Sequence, residues 1–201
     1  MQLTGEIDPT LPLFVVAVEE EAEHLRALGL PLLVTGAGKV NAGVAVAATI
    51  GERRPSGVFN LGTAGALTVG LVGTHVVGSV IQHDLDDQSL MALTGRSFSP
   101  TLVLGDGLVL ATGDVFVSDP VVRDELAKHA ALVDMEGYGV AHAAGAFDVP
   151  VVLVKHVSDS SDGASLKTWA DTIGECAEIL AEWARANVLP HLSQSPRSSA
   201  G

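Results

Sequence analysis

A single cysteine, Cys176, stands in this chain of 201 residues, which excludes an internal disulfide, a zinc ribbon and a CxxC redox pair and makes a reducing cytoplasm the expected compartment. Cations are scarce: 11 Lys+Arg face 24 Asp+Glu, a formal charge of −13, and such a surface repels nucleic acid, so no nucleic-acid partner is expected. The apolar runs are broken by glycine or polar residues well short of the roughly 18 positions a membrane span needs, and the opening MQLTGEIDPT has no basic segment, so no membrane partner is expected either.

Against these absences stand 47% apolar residues and 22 glycines, with only 17% charged, a composition suited to a tightly packed α/β enzyme and too apolar for a disordered chain. The length fits one domain. Residues 1–10 and 193–201 carry no periodicity and read as flexible tails, which leaves 11–190 as the expected domain. Within it, β-rich apolar runs at Leu13 to Val18, Leu32 to Thr35, Val58 to Leu61, Thr74 to Ile81, Leu108 to Thr112, Ala131 to Val133 and Val149 to Val157 read as strands. Between and after them, Glu20 to Leu28, Val40 to Ile50, Pro120 to His129, Glu136 to Phe147 and Leu166 to Asn187 read as helices, the last with Ser165 as its N-cap. The alternation implies a sheet covered on both faces.

In such sheets ligands sit at the carboxyl ends of the strands. Those ends are polar or glycine-rich: Glu19-Glu20-Glu21, Gly36-Ala37-Gly38-Lys39, Gly62-Thr63-Ala64-Gly65, His83-Asp84, Gly113-Asp114, Asp134-Met135-Glu136 and Ser158-Asp159. All seven are expected to converge on one composite site. The GAGK turn is neither a triphosphate loop, since Leu33 and Val40 stand where glycine and Ser/Thr are needed, nor a dinucleotide fingerprint, since Asn41 replaces the third glycine. It reads either as a tight structural turn or as a ligand-contacting one. The His83 to Asp87 run reads as a solvated acidic loop, and no metal is expected.

Three carboxylates stand out. Helix-start electrostatics accounts for Glu19 and Glu20, while Glu21 lies beside the apolar face set by Ala22, Leu25 and Leu28. Glu136 sits on the turn between an apolar strand and a small-residue helix, where it either caps the helix or meets a partner at a buried end. Asp159 follows the apolar PVVLVKHV, where it either caps a helix or is partly desolvated, with its pKa raised.

Taken together, VEEEAEHL at 18–25, TGAGKVNA at 35–42, FNLGTAGAL at 59–67, GDVFV at 113–117, VDMEG at 133–137 and VKHVSDSSDG at 154–163 resemble the purine nucleoside phosphorylase/nucleosidase superfamily, most closely its methylthioadenosine/S-adenosylhomocysteine nucleosidase branch. The resemblance covers about residues 13 to 180, and six motifs in the right order are far more specific than any one of them. It implies a three-layer α/β/α sandwich around a central mixed, partly barrel-like sheet, a homodimer, and no metal or organic cofactor. It also implies roles: Glu21 as the base that activates water, Asp159 as the acid at N7 of the departing purine, Ser158 orienting that acid, and Glu136 holding the ribose hydroxyls. Met135 would pack on the sugar, Phe116 would stack on the base and Val117 would bond it through its backbone, and Thr63 and Gly65 would form the turn near ribose and water.

That cast suits the chemistry. Cleaving an N-glycosidic bond through an oxocarbenium-like state needs an acid on the leaving base and a base on the water across the ring, so two carboxyls must be tuned differently in one site. A phosphate nucleophile would instead need cations where this chain has three glutamates, although Arg26 and Lys39 lie nearby in sequence. Hydrolysis of a purine nucleoside is therefore the expected activity, with a phosphorylase or a non-catalytic nucleoside-binding module as alternatives. Two departures bear on the group at the ribose 5′ carbon: only Gly29-Leu30-Pro31 links the glutamate helix to the second strand, and the segment after His83-Asp84 is short. Trp169 stands where the family has an aromatic lid residue and would cover a 5′-alkylthio group, or else it is an ordinary aromatic of an amphipathic helix.

Overall fold

The computed structural model describes residues 1–161 and 165–192. Nine strands form one mixed sheet: β1 (Gln2–Thr4), β2 (Leu13–Val16), β3 (Leu32–Val34), β4 (Val58–Ala66), β5 (Thr74–Gln82), β6 (Leu102–Val103), β7 (Leu108–Thr112), β8 (Leu132–Asp134) and β9 (Val151–Asp159). The helices are α1 (Glu19–Ala22), α2 (Lys39–Glu52), α3 (Asp87–Thr94), α4 (Pro120–Leu126), α5 (Gly137–Ala146), α6 (Ser165–Asn187) and α7 (Leu189–Leu192), with a 3-10 turn at Arg26–Leu28.

The sheet closes on itself. β4 pairs with β8, β8 with β7, β7 with β5, β5 with β9, and β9 returns to β4, giving a five-stranded ring from which β2, β3 and β1 extend on one side and β6 on the other. Pairings within the ring are parallel except β4–β8 and β5–β9, so the central sheet is mixed and partly barrel-like.

Strands buried on both faces explain why their sequences are apolar throughout rather than alternating. In β2, Leu13 and Val15 pack with Val46, Ile50, Val140 and Ala144 of α2 and α5 on one face, while Phe14 and Val16 pack with Ala22, Leu25, Leu180 and Ala184 on the other. These are the three layers of an α/β/α sandwich. Helix α5 lies so close to α2 that a Cβ on Gly139 would come within 2.5 Å of the Lys39 carbonyl, and this approach brings the start of α5 up to the GAGK turn.

Several boundaries differ from the sequence expectation. Residues 1–10 were expected as a loose tail, but β1 lies antiparallel on β3, pairing Leu3 with Leu33, and Ile7 is buried. Three residues are too few to show periodicity, so their pairing is set by the open edge of β3. The third run was expected to end at Leu61 with a glycine turn after it; instead β4 runs through Gly62 and Gly65 to Ala66. Glycine is retained in that strand because side chains from elsewhere press on it. The short elements α3, β6 and α7 were not anticipated. The expected capping by the Ser165 side chain and the expected tail at 193–201 fall outside the described residues.

Candidate active site

A cavity of about 240 Å³ opens at the strand ends, and every residue to which the resemblance gave a site role lines it: Glu21, Thr63, Gly65, Phe116, Val117, Met135, Glu136, Ser158, Asp159 and Trp169. The ends of β2, β3, β4, β8 and β9 and the loop after β7 all contribute, whereas the His83-Asp84 end of β5 does not. The expected convergence of seven strand ends is corrected at that one.

Glu21 serves its helix and the cavity at once. Its Oε2 accepts the Ala17 N–H (3.0 Å), a helix-start contact, while Oε1 accepts both the N–H (2.9 Å) and the hydroxyl (3.1 Å) of Thr63. The same Thr63 oxygen accepts the indole N–H of Trp169 at 2.9 Å, so a chain of hydrogen bonds runs from Trp169 through Thr63 to Glu21. Trp169 is thus fastened to the site rather than being merely an aromatic of α6. Glu19, by contrast, pairs with Arg26 at the surface, and Glu20 is exposed.

Asp159 owes its position to a β-bulge. β9 runs in register with β4 up to Ala64 opposite Val157; the next pair is Gly65 opposite Asp159, leaving Ser158 as the extra residue. A bulge bends its strand and re-aims side chains, and here Ser158 and Asp159 both reach the cavity. The Ser158 hydroxyl donates to Asp159 Oδ2 (2.8 Å) and the Ser161 N–H to Oδ1 (2.8 Å). The carboxyl is buried with both oxygens held.

Glu136 makes no capping bond to its own helix; its Oε1 accepts the Gly38 N–H at 2.8 Å. Helix capping falls to Asp134, which accepts the Gly137 N–H (2.8 Å) and the Thr112 hydroxyl (2.6 Å). Asp134 also pairs with Lys155 at 2.8 Å, with side-chain exposures of 0% and 2%. Lys155 Nζ and Glu21 Oε1 stand on the same side of Gly62, 3.2 and 3.3 Å from the point a Cβ there would occupy, which is why residue 62 has none. Burial, and then the Asp134 charge, push Glu136 up to about 8 against the opposing pull of Lys155 and the Gly38 N–H. For Lys155, burial works against the charge, but Asp134, Glu136 and Glu21 outweigh it and hold the ammonium raised.

Sequence reasoning passed over this Lys155–Asp134 pair. The signal was present: a lysine within the apolar VVLVKHV of β9 has to be buried, and a buried lysine needs a carboxylate. The other cations near the site are engaged as well. Lys39 binds Asp84 and lies 3.8 Å from Asp114, and its N–H donates to Asp114 Oδ1 at 2.7 Å. The acidic loop that follows spends its carboxylates on itself: Asp86 caps α3 through the Ser89 N–H, and Asp87 accepts from Ser97 and Phe98. Among the described residues no group of three His, Cys, Asp or Glu is arranged to hold a metal ion, and no helix is long and apolar enough to cross a membrane.

Residues 101–189 match the family model described as the Phosphorylase superfamily. A Shewanella sediminis protein named 5′-methylthioadenosine/S-adenosylhomocysteine nucleosidase is 28% identical over 178 residues, covering 75% of this chain and 77% of that relative. A futalosine hydrolase mutant of Helicobacter pylori shares the fold with a TM-score of 0.77 at 19% identity, covering 88% of this chain and 97% of the other. A nucleosidase mutant from Helicobacter pylori with 5′-methylthioadenosine in its active site does so with a TM-score of 0.77 at 18% identity, covering 91% and 98%.

Proposed function

We propose that this chain, which matches the phosphorylase superfamily over residues 101–189, is a member of that superfamily and a purine nucleosidase, hydrolysing the N-glycosidic bond of 5′-methylthioadenosine, S-adenosylhomocysteine or a related 5′-modified adenosine. The observation that carries the reading is the pairing in one cavity of two buried carboxyls held in different ways: Glu21 by the Thr63 and Ala17 donors, Asp159 by Ser158 and the Ser161 N–H. Asp159 gives a proton to N7 as the bond from C1′ to N9 breaks. Glu21 takes a proton from the water whose oxygen bonds C1′, and the free base and the ribosyl product leave. Ser158 orients Asp159, Glu136 holds the ribose hydroxyls, Met135 packs on the sugar, and Phe116 and Val117 bind the base. Thr63 and Gly65 border ribose and water, and Trp169 covers the 5′ group.

Water rather than phosphate is the nucleophile in this reading, because Arg26 and Lys39 are both taken up by carboxylates and no metal or organic cofactor is called for. We assign the enzyme to nucleoside catabolism and methionine salvage in the cytoplasm, and to a homodimer. Val40 and Val44, one turn apart on α2, are exposed and supply apolar surface for a second copy. The test is release of free base, followed by chromatography, from adenosine, methylthioadenosine, S-adenosylhomocysteine, 5′-deoxyadenosine, inosine and futalosine, each with and without phosphate. Release without phosphate upholds the reading and ranks the 5′ groups. Phosphate-dependent release overturns it in favour of a phosphorylase, and nucleoside binding without any release in favour of a binding module.

A further inference from the structure

One polar atom of the cavity has no use in the scheme above. Ser161 is 1% exposed and lines the cavity, yet its Oγ has no hydrogen-bond partner among the described residues. Its backbone stands at φ 49°, in the left-handed region that L-residues rarely adopt. The position is held from two sides. The Ser161 N–H is tied to Asp159 Oδ1, and the hydroxyl occupies the space that a Cβ on Gly65 would take. Asp159 Oδ1 lies 3.2 Å from that same point, so the free hydroxyl and the carboxyl stand side by side over Gly65. A buried hydroxyl without a partner disfavours the empty protein, and a strained backbone at a site is a reason to look for a ligand contact.

We propose that the Ser161 hydroxyl binds the substituent at position 6 of the purine and accommodates both a 6-amino and a 6-oxo group. The inference rests on the reading that Asp159 works at N7. N7 and the 6-substituent share one edge of a purine, so a group beside the carboxyl at N7 meets whatever C6 carries. A hydroxyl has one hydrogen to donate and lone pairs to accept with, and it turns to suit its partner. It accepts from an amino group or donates to a carbonyl oxygen, whereas a second carboxylate would reject the carbonyl. The substrate class of this site accordingly includes 6-oxopurine as well as 6-aminopurine nucleosides.

The experiment compares the wild type with Ser161→Ala on three nucleosides that share one 5′ group and differ only at C6: amino, oxo and hydrogen. The expected result is a fall of about tenfold in kcat/KM on the amino and oxo compounds, with the 6-hydrogen compound unchanged. An equal fall on all three, a fall on only one of the substituted pair, or no fall overturns the proposal. Ser161→Gly, which suits the positive φ, makes the same comparison should the alanine variant fail to fold. Calorimetric binding of free adenine, hypoxanthine and purine runs alongside. Should no nucleoside be cleaved, the nucleosidase reading falls and binding alone decides: loss of about tenfold for adenine and hypoxanthine with purine unchanged upholds the contact, and unchanged affinities overturn it.

Discussion

Lys155 and Lys39 each sit between carboxylates at strand ends, and the two clusters behave in opposite ways. Around Lys155, Asp134, Glu136 and Glu21 are all buried, and the side chains of the Lys155–Asp134 pair are 2% and 0% exposed. Around Lys39, the side chains are 14% exposed for the lysine, 21% for Asp84 and 46% for Asp114. In the buried cluster one cation faces several carboxylates, and Glu136 is driven up to about 8. In the wet one, burial would raise Asp84, but Lys39 and the Asp114 N–H outweigh it and hold the carboxyl below its ordinary value. Similar residues thus have their carboxyls shifted in opposite directions, and the depth of burial decides which.

The largest effect should come from breaking the proposed chemistry on the buried side. Asp159→Asn removes the proposed proton donor while keeping the shape, and base release should fall by about 10²- to 10⁴-fold; Glu21→Gln should fall within the same range. Asp84→Asn, in the wet cluster, should leave the rate within about threefold. Steady-state assays on one substrate compare all three, and full activity in Asp159→Asn would remove the acid from its role.

Next in size is the loss of the buried cation. Lys155→Met leaves Asp134 without its partner and should destabilise the fold by about 3–5 kcal/mol, read from urea unfolding. Adding Asp134→Asn to that variant should restore part of the loss, because the charge left stranded is then gone. Additive losses would mean that the pair is not coupled.

How much of this was legible in sequence follows from the same contrast. The alternation of elements was, because strands covered on both faces must be apolar throughout, as β2 and β3 are. Every expected site residue reached one cavity, since six motifs carried their order with them. Closure of the ring was legible only through the family resemblance, because β9 pairs with β4 and β5, far back in the chain, and periodicity within a strand says nothing of its neighbours. The bulge at Ser158, which depends on register between two strands, was not legible, nor was the bond from Trp169 to Thr63, which joins two elements far apart in the chain. Lys155 was overlooked because an apolar run hides a charge whose partner lies on another strand.

A smaller effect separates the clusters by pH. Glu136 ordinarily titrates at 4.5 and is held at about 8 in the folded protein. Below about 4.5 folded and unfolded chains both hold the proton; above that only the folded protein does, so rising pH favours the unfolded chain until the folded carboxyl ionises near 8. Stability from this group is full below the lower value and is lost as the pH passes through the upper one. Glu136→Gln keeps an oxygen for the Gly38 N–H and has no proton to lose. The melting temperature of the wild type should therefore fall more than that of the variant between about pH 5 and about pH 8.5. Parallel curves would place Glu136 at its ordinary value.

The smallest effect belongs to Lys39, and it tests the comparison from the wet side. Lys39→Met removes a pair that water already screens, so the expected loss is about 1 kcal/mol or less, shrinking further in high salt. The loss should be well under that of Lys155→Met, although Lys39 pairs with carboxylates at two strand ends and Lys155 with Asp134 alone. A loss as large as that of Lys155→Met, and indifferent to salt, would mean that the Lys39 cluster is sealed in solution. It would then share the constraints of the buried one, and the difference between the two clusters would have to be drawn by position at the cavity rather than by depth of burial.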